Sequence, residues 1–273
     1  MYTAVIFYFS GTGNTWWVAD RIKRQLDAMN INASAVSIDK LTPKKADWWI
    51  KTADLVLFGW PVYSSDLPEP AKRFIDTLPE SEKGKHVHVF CTQMCYSGDG
   101  AWIAHKRLKN KGLIIDTTEH FAMPSNLSMY RGTFGTPDEN VIKRIMDNTE
   151  IHVEQYVTKL LSGQARIKGR YSFLLGLLQR VTYRLSSKKS RNIVGVDKDR
   201  CTHCGLCAKL CPMENITLED VPAFAGNCTQ CLRCYSFCPS NAITYNGRVR
   251  NVQKHGKPYF VPDKHFKPSL LIK

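Results

Sequence analysis

No apolar run approaches the roughly 20 residues that a membrane-spanning helix needs, although apolar residues make up 43% of the 273-residue chain. A Gly-Lys-Ser/Thr triplet is also missing, which excludes a P-loop, and Trp16 stands where a dinucleotide fingerprint would need its third glycine. Acidic residues are scarce: 24 Asp and Glu face 38 Lys and Arg, for a formal net charge of +14. Such a surplus attracts acidic proteins, anionic membranes or nucleic acid. With no helix-turn-helix or other nucleic-acid signature, it predicts docking to an acidic protein. No Ser/His/Asp constellation suggests a hydrolase, and no carboxylate pair stands out. Residues Tyr2–Phe9 lack a basic leader and cleavage site, and are expected to form a strand.

Cysteine, by contrast, is plentiful and ordered. Eight of the ten form two matching runs, Cys201-x2-Cys204-x2-Cys207-x3-Cys211-Pro212 and Cys228-x2-Cys231-x2-Cys234-x3-Cys238-Pro239. This is the spacing that holds a pair of 4Fe–4S cubes, each by four thiolates. Three sulfurs of a run share one loop, and the fourth reaches the neighbouring cube. Cys201, Cys204, Cys207 and Cys238 are therefore expected at one cluster, and Cys228, Cys231, Cys234 and Cys211 at the other. Structural zinc needs only four ligands, usually as two separated pairs, and leaves the third cysteine of each triplet without a role. Ile216 and Ile243 fall at the same offset behind their prolines, so the repeat extends past the ligands. Cluster-binding cysteines fit a reducing, oxygen-poor cytoplasm better than a disulfide framework. His203 either tunes its cluster or projects into solvent. Cys91 and Cys95 stand outside the runs, Cys95 in a loop where it is either reactive or an ordinary small thiol.

Upstream, strand-like runs at Ala4–Phe9, Ala33–Ile38, Leu55–Trp60, His88–Cys91 and Ile114–Phe121 alternate with helical stretches. The helices are expected at Asn14–Met29, Glu69–Thr77, Ala101–Lys111 and Asp138–Leu161. Alternation at this spacing predicts a parallel sheet with helices on both faces and ligands beyond the carboxyl ends of the strands. The first such loop is Ser10-Gly11-Thr12-Gly13-Asn14-Thr15. Its glycines let the backbone curl, and a helix start behind them offers unpaired N–H groups beside three hydroxyls. That set suits a phosphate monoester, though a glycine turn with an ordinary helix cap reads the same way. Further strand ends carry Trp60-Pro61-Val62-Tyr63 and Thr92 through Tyr96-Ser97-Gly98-Asp99-Gly100. Tyr96 is the first choice to stack on a flat ring, with Trp60 or Tyr63 opposite. Trp60 equally suits an aromatic closing the core. The Gly98-Asp99-Gly100 turn could offer N–H groups to ring oxygens.

On the Ser10–Thr15 loop and Tyr96–Gly100, residues 1–165 resemble a flavodoxin. The cysteine runs resemble bacterial two-cluster ferredoxins. In this order the chain is similar to the flavodoxin–ferredoxin fusion proteins of anaerobes. The resemblance implies FMN, two 4Fe–4S clusters and an α/β, doubly wound, five-stranded parallel sheet in order 2-1-3-4-5. A small α+β ferredoxin domain would follow at 193–247. The second loop lacks the acidic, glycine-bearing pattern of short-chain flavodoxins, and the positive charge departs from their usual acidity.

Between the modules, 166–192 is basic and oily. Tyr171, Leu174, Leu175, Leu178, Val181 and Leu185 recur at helical spacing beside Arg180, Arg184, Lys188 and Lys189. Such a helix either packs one domain on the other, the preferred reading, or lies on an anionic membrane. The basic tail 248–273, with Lys254, Lys257, Lys264, Lys267, Pro258, Pro262 and Pro268, is expected to run extended over the surface. The whole predicts an electron-transfer protein relaying single electrons between the clusters and FMN and exchanging them with a redox partner protein. The alternative is an FMN-dependent reductase of a small molecule, such as a quinone or an unsaturated compound, fed by its own clusters. Tyr63, Tyr96 or Ser125-Asn126 would then line its pocket.

Overall fold

The computed structural model describes residues 2–80, 84–127, 129, 135–187, 193–249 and 261–271. Five parallel strands, β1 (Thr3–Tyr8), β2 (Asn32–Ser37), β3 (Leu55–Pro61), β4 (Lys85–Gln93) and β5 (Leu113–Ala122), pair in the order β2-β1-β3-β4-β5. This is the expected doubly wound sheet. β1 and β3 are buried on both faces because they are central, which is why Ala-Val-Ile-Phe-Tyr and Leu-Val-Leu-Phe show no polar alternation. One apolar layer gathers α1 (Asn14–Ala28) and α5 (Glu139–Leu161). The other gathers α2 (Pro43–Thr52), α3 (Glu69–Thr77) and α4 (His105–Lys109). Helix α2 escaped the sequence reading, yet its start is locally written: the Thr42 hydroxyl accepts from Lys45 N–H at 3.3 Å and Pro43 occupies the first turn. The helix expected over 101–111 is shorter, a 3-10 turn at Trp102–Ala104 leading into α4.

After α5 the chain returns to the sheet edge, where Ile167 bridges Thr118 of β5, and then forms α6 (Phe173–Ser187). Asp99 and Arg180, both buried, join at 2.5 Å, and Arg180 also donates to Ser65 O at 2.8 Å. A methyl on Gly176 would strike the Asp99 carboxylate, so only glycine lets the helix sit this close. The inter-module segment is thus packed on the front module through one face. Lys188 and Lys189 lie outside the described residues, as does the side chain of Arg184.

The rear module comprises β6 (Val194–Val196), α7 (Leu206–Leu210), β7 (Ile216–Leu218), β8 (Pro222–Phe224), α8 (Arg233–Phe237) and β9 (Ile243–Tyr245). Its strands form two antiparallel pairs, β6 with β9 and β7 with β8. Leu210 of α7 and Phe237 of α8 share an apolar cluster with β1 and α1, so the core is continuous between modules. The tail refines an expectation. Its residues 250–260, including Lys254, Lys257 and Pro258, fall outside the described residues, but 261–271 lie at the surface pinned by buried Pro262, Phe266 and Leu271, while Lys264 and Lys267 stay exposed. Phe266 is buried between Trp16 (5.1 Å between centroids) and Phe237 (5.9 Å). Asp263 pairs with Arg21 at 2.9 Å, and Leu271 is fully buried. Burial of Phe266 and Leu271 pins the segment at no cost in lysine solvation, since Lys264 and Lys267 keep their water. No helix among the described residues is long and apolar enough to cross a membrane.

Candidate functional site

The loop after β1 is held by its own hydroxyls. Ser10 Oγ accepts from Gly13 N–H at 3.1 Å, and Gly13 takes φ +106°, a conformation that favours glycine. The N-cap of α1 is Gly13, which has no side chain to cap the first turn, so among the described residues its N–H groups are available to an anion. Neighbouring loops are tied to this one: Thr15 and Thr92 hydroxyls meet at 2.8 Å, Asn126 Nδ2 donates to Thr12 Oγ1 at 2.9 Å, and Asn14 Nδ2 donates to Pro124 O at 2.8 Å. Together they enclose a cavity of about 370 Å³. Ser10, Gly11, Thr12, Asn14 and Thr15 line it, as do Pro61, Val62, Tyr63 and Thr92. A lining that combines hydroxyls and a helix N-terminus with apolar and aromatic side chains fits a phosphate carried on a flat ring. These residues could therefore hold FMN.

Several expected contacts lie elsewhere. Trp60 is 2% exposed and donates through Nε1 to Gly100 O at 3.2 Å, so it closes the core rather than facing the cavity. Tyr96 is 50% exposed and does not line the cavity. Ser97, Gly98, Asp99 and Gly100 do not line it either, because α6 covers that turn. Asp99 is committed to Arg180, and Ser97 O accepts from the Ser65 hydroxyl at 2.7 Å. Gly13 faces Pro262 and Phe266 of the tail. Cys91 is buried beside the Ser97 hydroxyl, and burial pushes its thiol pKa up, so it is an inert core residue; Cys95 is exposed. In place of Tyr96 and Trp60, the aromatics at the cavity are Tyr63, Tyr183 of α6 and Tyr245 of β9.

Met94 and the 123–127 loop supply further wall, Ser125 and Asn126 among it as expected, and the rear module adds Gln230, Cys231 and Leu232. A Cβ on Gly11 would lie 2.7 Å from Cys231 O and 3.1 Å from the Tyr63 hydroxyl oxygen. Beneath this contact sits Arg233, 1% exposed, whose guanidinium donates to Ser10 O at 2.8 and 3.0 Å and to Asp39 Oδ2 at 2.8 Å. Leu210 O (3.3 Å) and Leu271 O (3.4 Å) accept from its third nitrogen, and the charge lies 4.8 Å from the Phe9 ring centre. Burial alone would lower the Arg233 pKa, but Asp39 and Cys231 hold it above its ordinary value. One side chain thus joins β1's loop, the turn after β2, both rear helices and the tail.

The eight cysteines surround two hollows, four at each, in the grouping that the spacing predicts. Cys201, Cys204, Cys207 and Cys238 line one; Cys211, Cys228, Cys231 and Cys234 line the other. All are free thiols. The two runs fold alike at an offset of 27 residues, as positive φ at His203 and Gln230, Gly205 and Leu232, and Glu214 and Asn241 shows. Backbone N–H groups four residues on reach the fourth sulfur of each run, Asn215 to Cys211 at 3.4 Å and Ala242 to Cys238 at 3.3 Å. Such donors stabilise sulfur that carries negative charge. Burial pushes the Cys231 thiol up to about 12, with Arg233 pulling it down and Cys228 and Cys211 adding to the rise. Thiols that crowd one another this way suit a cationic iron core that takes up their charge. They could hold one cube each.

A flavodoxin domain model matches residues 5–154, and a 4Fe-4S dicluster domain model matches residues 193–239. Similar solved structures include a flavodoxin from the domain Archaea, at 16% identity and TM-score 0.38 over 57% of this chain and 99% of that one. Oxidised flavodoxin 2 from Bacillus cereus is 22% identical, with a TM-score of 0.39 over 56% of this chain and 98% of that one. Two-electron reduced flavodoxin from Megasphaera elsdenii is 25% identical, with a TM-score of 0.38 over 43% of this chain and 84% of that one. No curated protein sequence matches the chain. A flavodoxin domain implies FMN, and a dicluster domain with this cysteine set implies iron–sulfur clusters, so the chain has a redox, electron-transferring role. The flavodoxin match spans more than half of the chain, which belongs to the flavodoxin-domain family and carries a 4Fe–4S dicluster domain behind it.

Proposed function

We propose that the protein relays single electrons between an outer cluster, an inner cluster and FMN, and exchanges them with a redox partner protein. The outer cube is held by Cys201, Cys204, Cys207 and Cys238, the inner one by Cys211, Cys228, Cys231 and Cys234. Clusters pass one electron at a time and a flavin holds one or two, which is the chemistry these groups supply when bound. The single observation that carries the reading is Cys231, which lines both the inner cysteine hollow and the cavity at the phosphate loop. Ser10, Gly11, Thr12, Asn14 and Thr15 anchor the phosphate, and Pro61, Val62, Tyr63 and Thr92 border the ring. Tyr63 keeps its proton, since burial holds its hydroxyl well above the ordinary phenol value. The excess of Lys and Arg steers the outer cluster toward an acidic partner, more weakly as salt rises.

A second cavity of about 320 Å³ shares Tyr63, Tyr183 and Gln230 with the first. It favours, as a second reading, reduction of a small molecule bound beside Tyr63. Anaerobic purification separates the possibilities. About eight irons and one FMN per chain are expected, with cluster and flavin absorbance changing together during stepwise reduction. Independent bleaching of the two would overturn the relay. Turnover of a quinone without any added protein would favour the reductase.

A further inference from the structure

Helix α6 is amphipathic in the inverted sense. Gly176, Arg180 and Tyr183, at i, i+4 and i+7, face the protein, and Arg180 is spent on buried Asp99. The apolar stripe at i, i+4, i+7 and i+11 faces outward: Leu174 is 78% exposed, Leu178 62%, Val181 45% and Leu185 72%. Surface helices normally do the opposite. Two aromatics extend the ridge at its N-terminal end, Phe173 and the 93% exposed Tyr171. An apolar patch of this size marks an interaction surface.

Charge identifies what covers it. Between Gln155 and Val196 the sequence has no Asp or Glu, and it carries Lys159, Arg166, Lys168, Arg170, Arg184, Lys188, Lys189 and Arg191. Arg166 and Arg170 are exposed at the start of the ridge, with Arg170 5.9 Å from the Tyr171 ring centre and 5.5 Å from that of Trp102. A second copy of this chain would bring one cationic margin against another. An acidic protein would need an apolar groove shaped to this ridge as well as the charge. A bilayer with anionic headgroups accepts both without special shape, the acyl boundary taking leucines and the phosphates taking arginines.

We propose that α6 docks the protein onto an anionic membrane surface, its outward leucine stripe buried at the acyl boundary and its basic margins on lipid phosphates. The helix is held flat by the Arg180–Asp99 pair, so the contact is peripheral and reversible. The attachment does not depend on the cofactors' electron path.

The test is co-sedimentation of the full-length holoprotein with vesicles of phosphatidylcholine alone or with one-third phosphatidylglycerol. Binding to the anionic vesicles only, weakened by salt, is expected. Leu174→Glu with Leu178→Glu should lower the partition coefficient at least about a hundredfold, and Arg166→Gln with Arg170→Gln roughly thirtyfold. All four positions are exposed, so flavin absorbance and Tm should stay unchanged in both variants. Equal binding of wild type and the leucine variant overturns the proposal. So does the absence of vesicle binding, whether the protein then sediments as a monomer or as a dimer that the leucine variant dissociates.

Discussion

The two cysteine runs have the same spacing and backbone, yet they face different surroundings. In the first run Thr202, His203 and Cys204 are exposed, whereas Thr229, Gln230 and Cys231 of the second are half-buried against the phosphate loop. Leu206 of the first run is matched by Arg233 of the second, the side chain that binds Ser10 O and Asp39. Ligand spacing makes two equivalent cubes. What distinguishes them is what each loop rests on, and that sets which is the outer and which the inner site.

Breaking one ligand in each run is the largest perturbation. Cys231→Ser and Cys204→Ser should each lose about four of eight irons, but with different consequences. In Cys231→Ser the flavin should be reduced out of step with the surviving cluster, because the lost cube is the one beside the phosphate loop. In Cys204→Ser flavin and surviving cluster should still change together in rapid-mixing reduction. Identical flavin kinetics in the two variants would remove the distinction between inner and outer sites.

Making the runs more alike is the next perturbation. Arg233→Leu gives the second run the residue of the first and leaves Asp39 without its cation and Ser10 O without its donors. Stranding a buried charge costs about 3–5 kcal/mol, which urea unfolding measures. The guanidinium also favours negative charge on Cys231, so its removal should lower the inner cluster's potential by roughly 50–100 mV and leave the outer one in place. Arg233→Lys should restore most of the potential and only part of the stability, since an ammonium cannot reproduce the fork that spans Ser10 O and Asp39. Equal shifts at both clusters in a potentiometric titration followed by electron paramagnetic resonance would contradict the assignment.

What was legible in the chain follows from range. β1, β3 and α3 are written in local runs, and the cysteine grouping in a repeat whose geometry each loop sets for itself. The phosphate loop was legible for the same reason. Arg233 was not: its value lies in Ser10 and Asp39, 223 and 194 positions away, and it reads locally as one more basic residue. Tyr183 and Tyr245 were hidden likewise, because α6 and β9 reach the cavity only in the folded chain. For Trp60 the sequence leaves both readings open, because an aromatic at a strand end looks the same whether it faces a ligand or a core, and Tyr96 turns out half exposed away from the cavity. What decides is Arg180 on Asp99, which draws α6 over the turn. In the tail, Phe266 carried a signal that the flanking lysines and prolines obscured.

The last perturbation is acid, which reaches the front module through two buried histidines. In the front module His88 and His120 meet the hydroxyls of Thr117 and Ser97, each at 3.0 Å, and burial lowers the pKa of each imidazole to about 4. Above pH 6.5 the two front histidines are neutral in both folded and unfolded chains, and stability is unaffected. Between pH 6.5 and 4 the unfolded chain takes up protons that the folded one refuses, so stability falls as pH falls, by at most about 2.7 kcal/mol per pH unit for the pair. Below pH 4 their contribution levels off. His120→Asn should remove about half of that slope. Urea titrations of the holoprotein across this window, followed by flavin fluorescence, measure the slope; one that His120→Asn leaves intact would place the acid-sensitive site elsewhere.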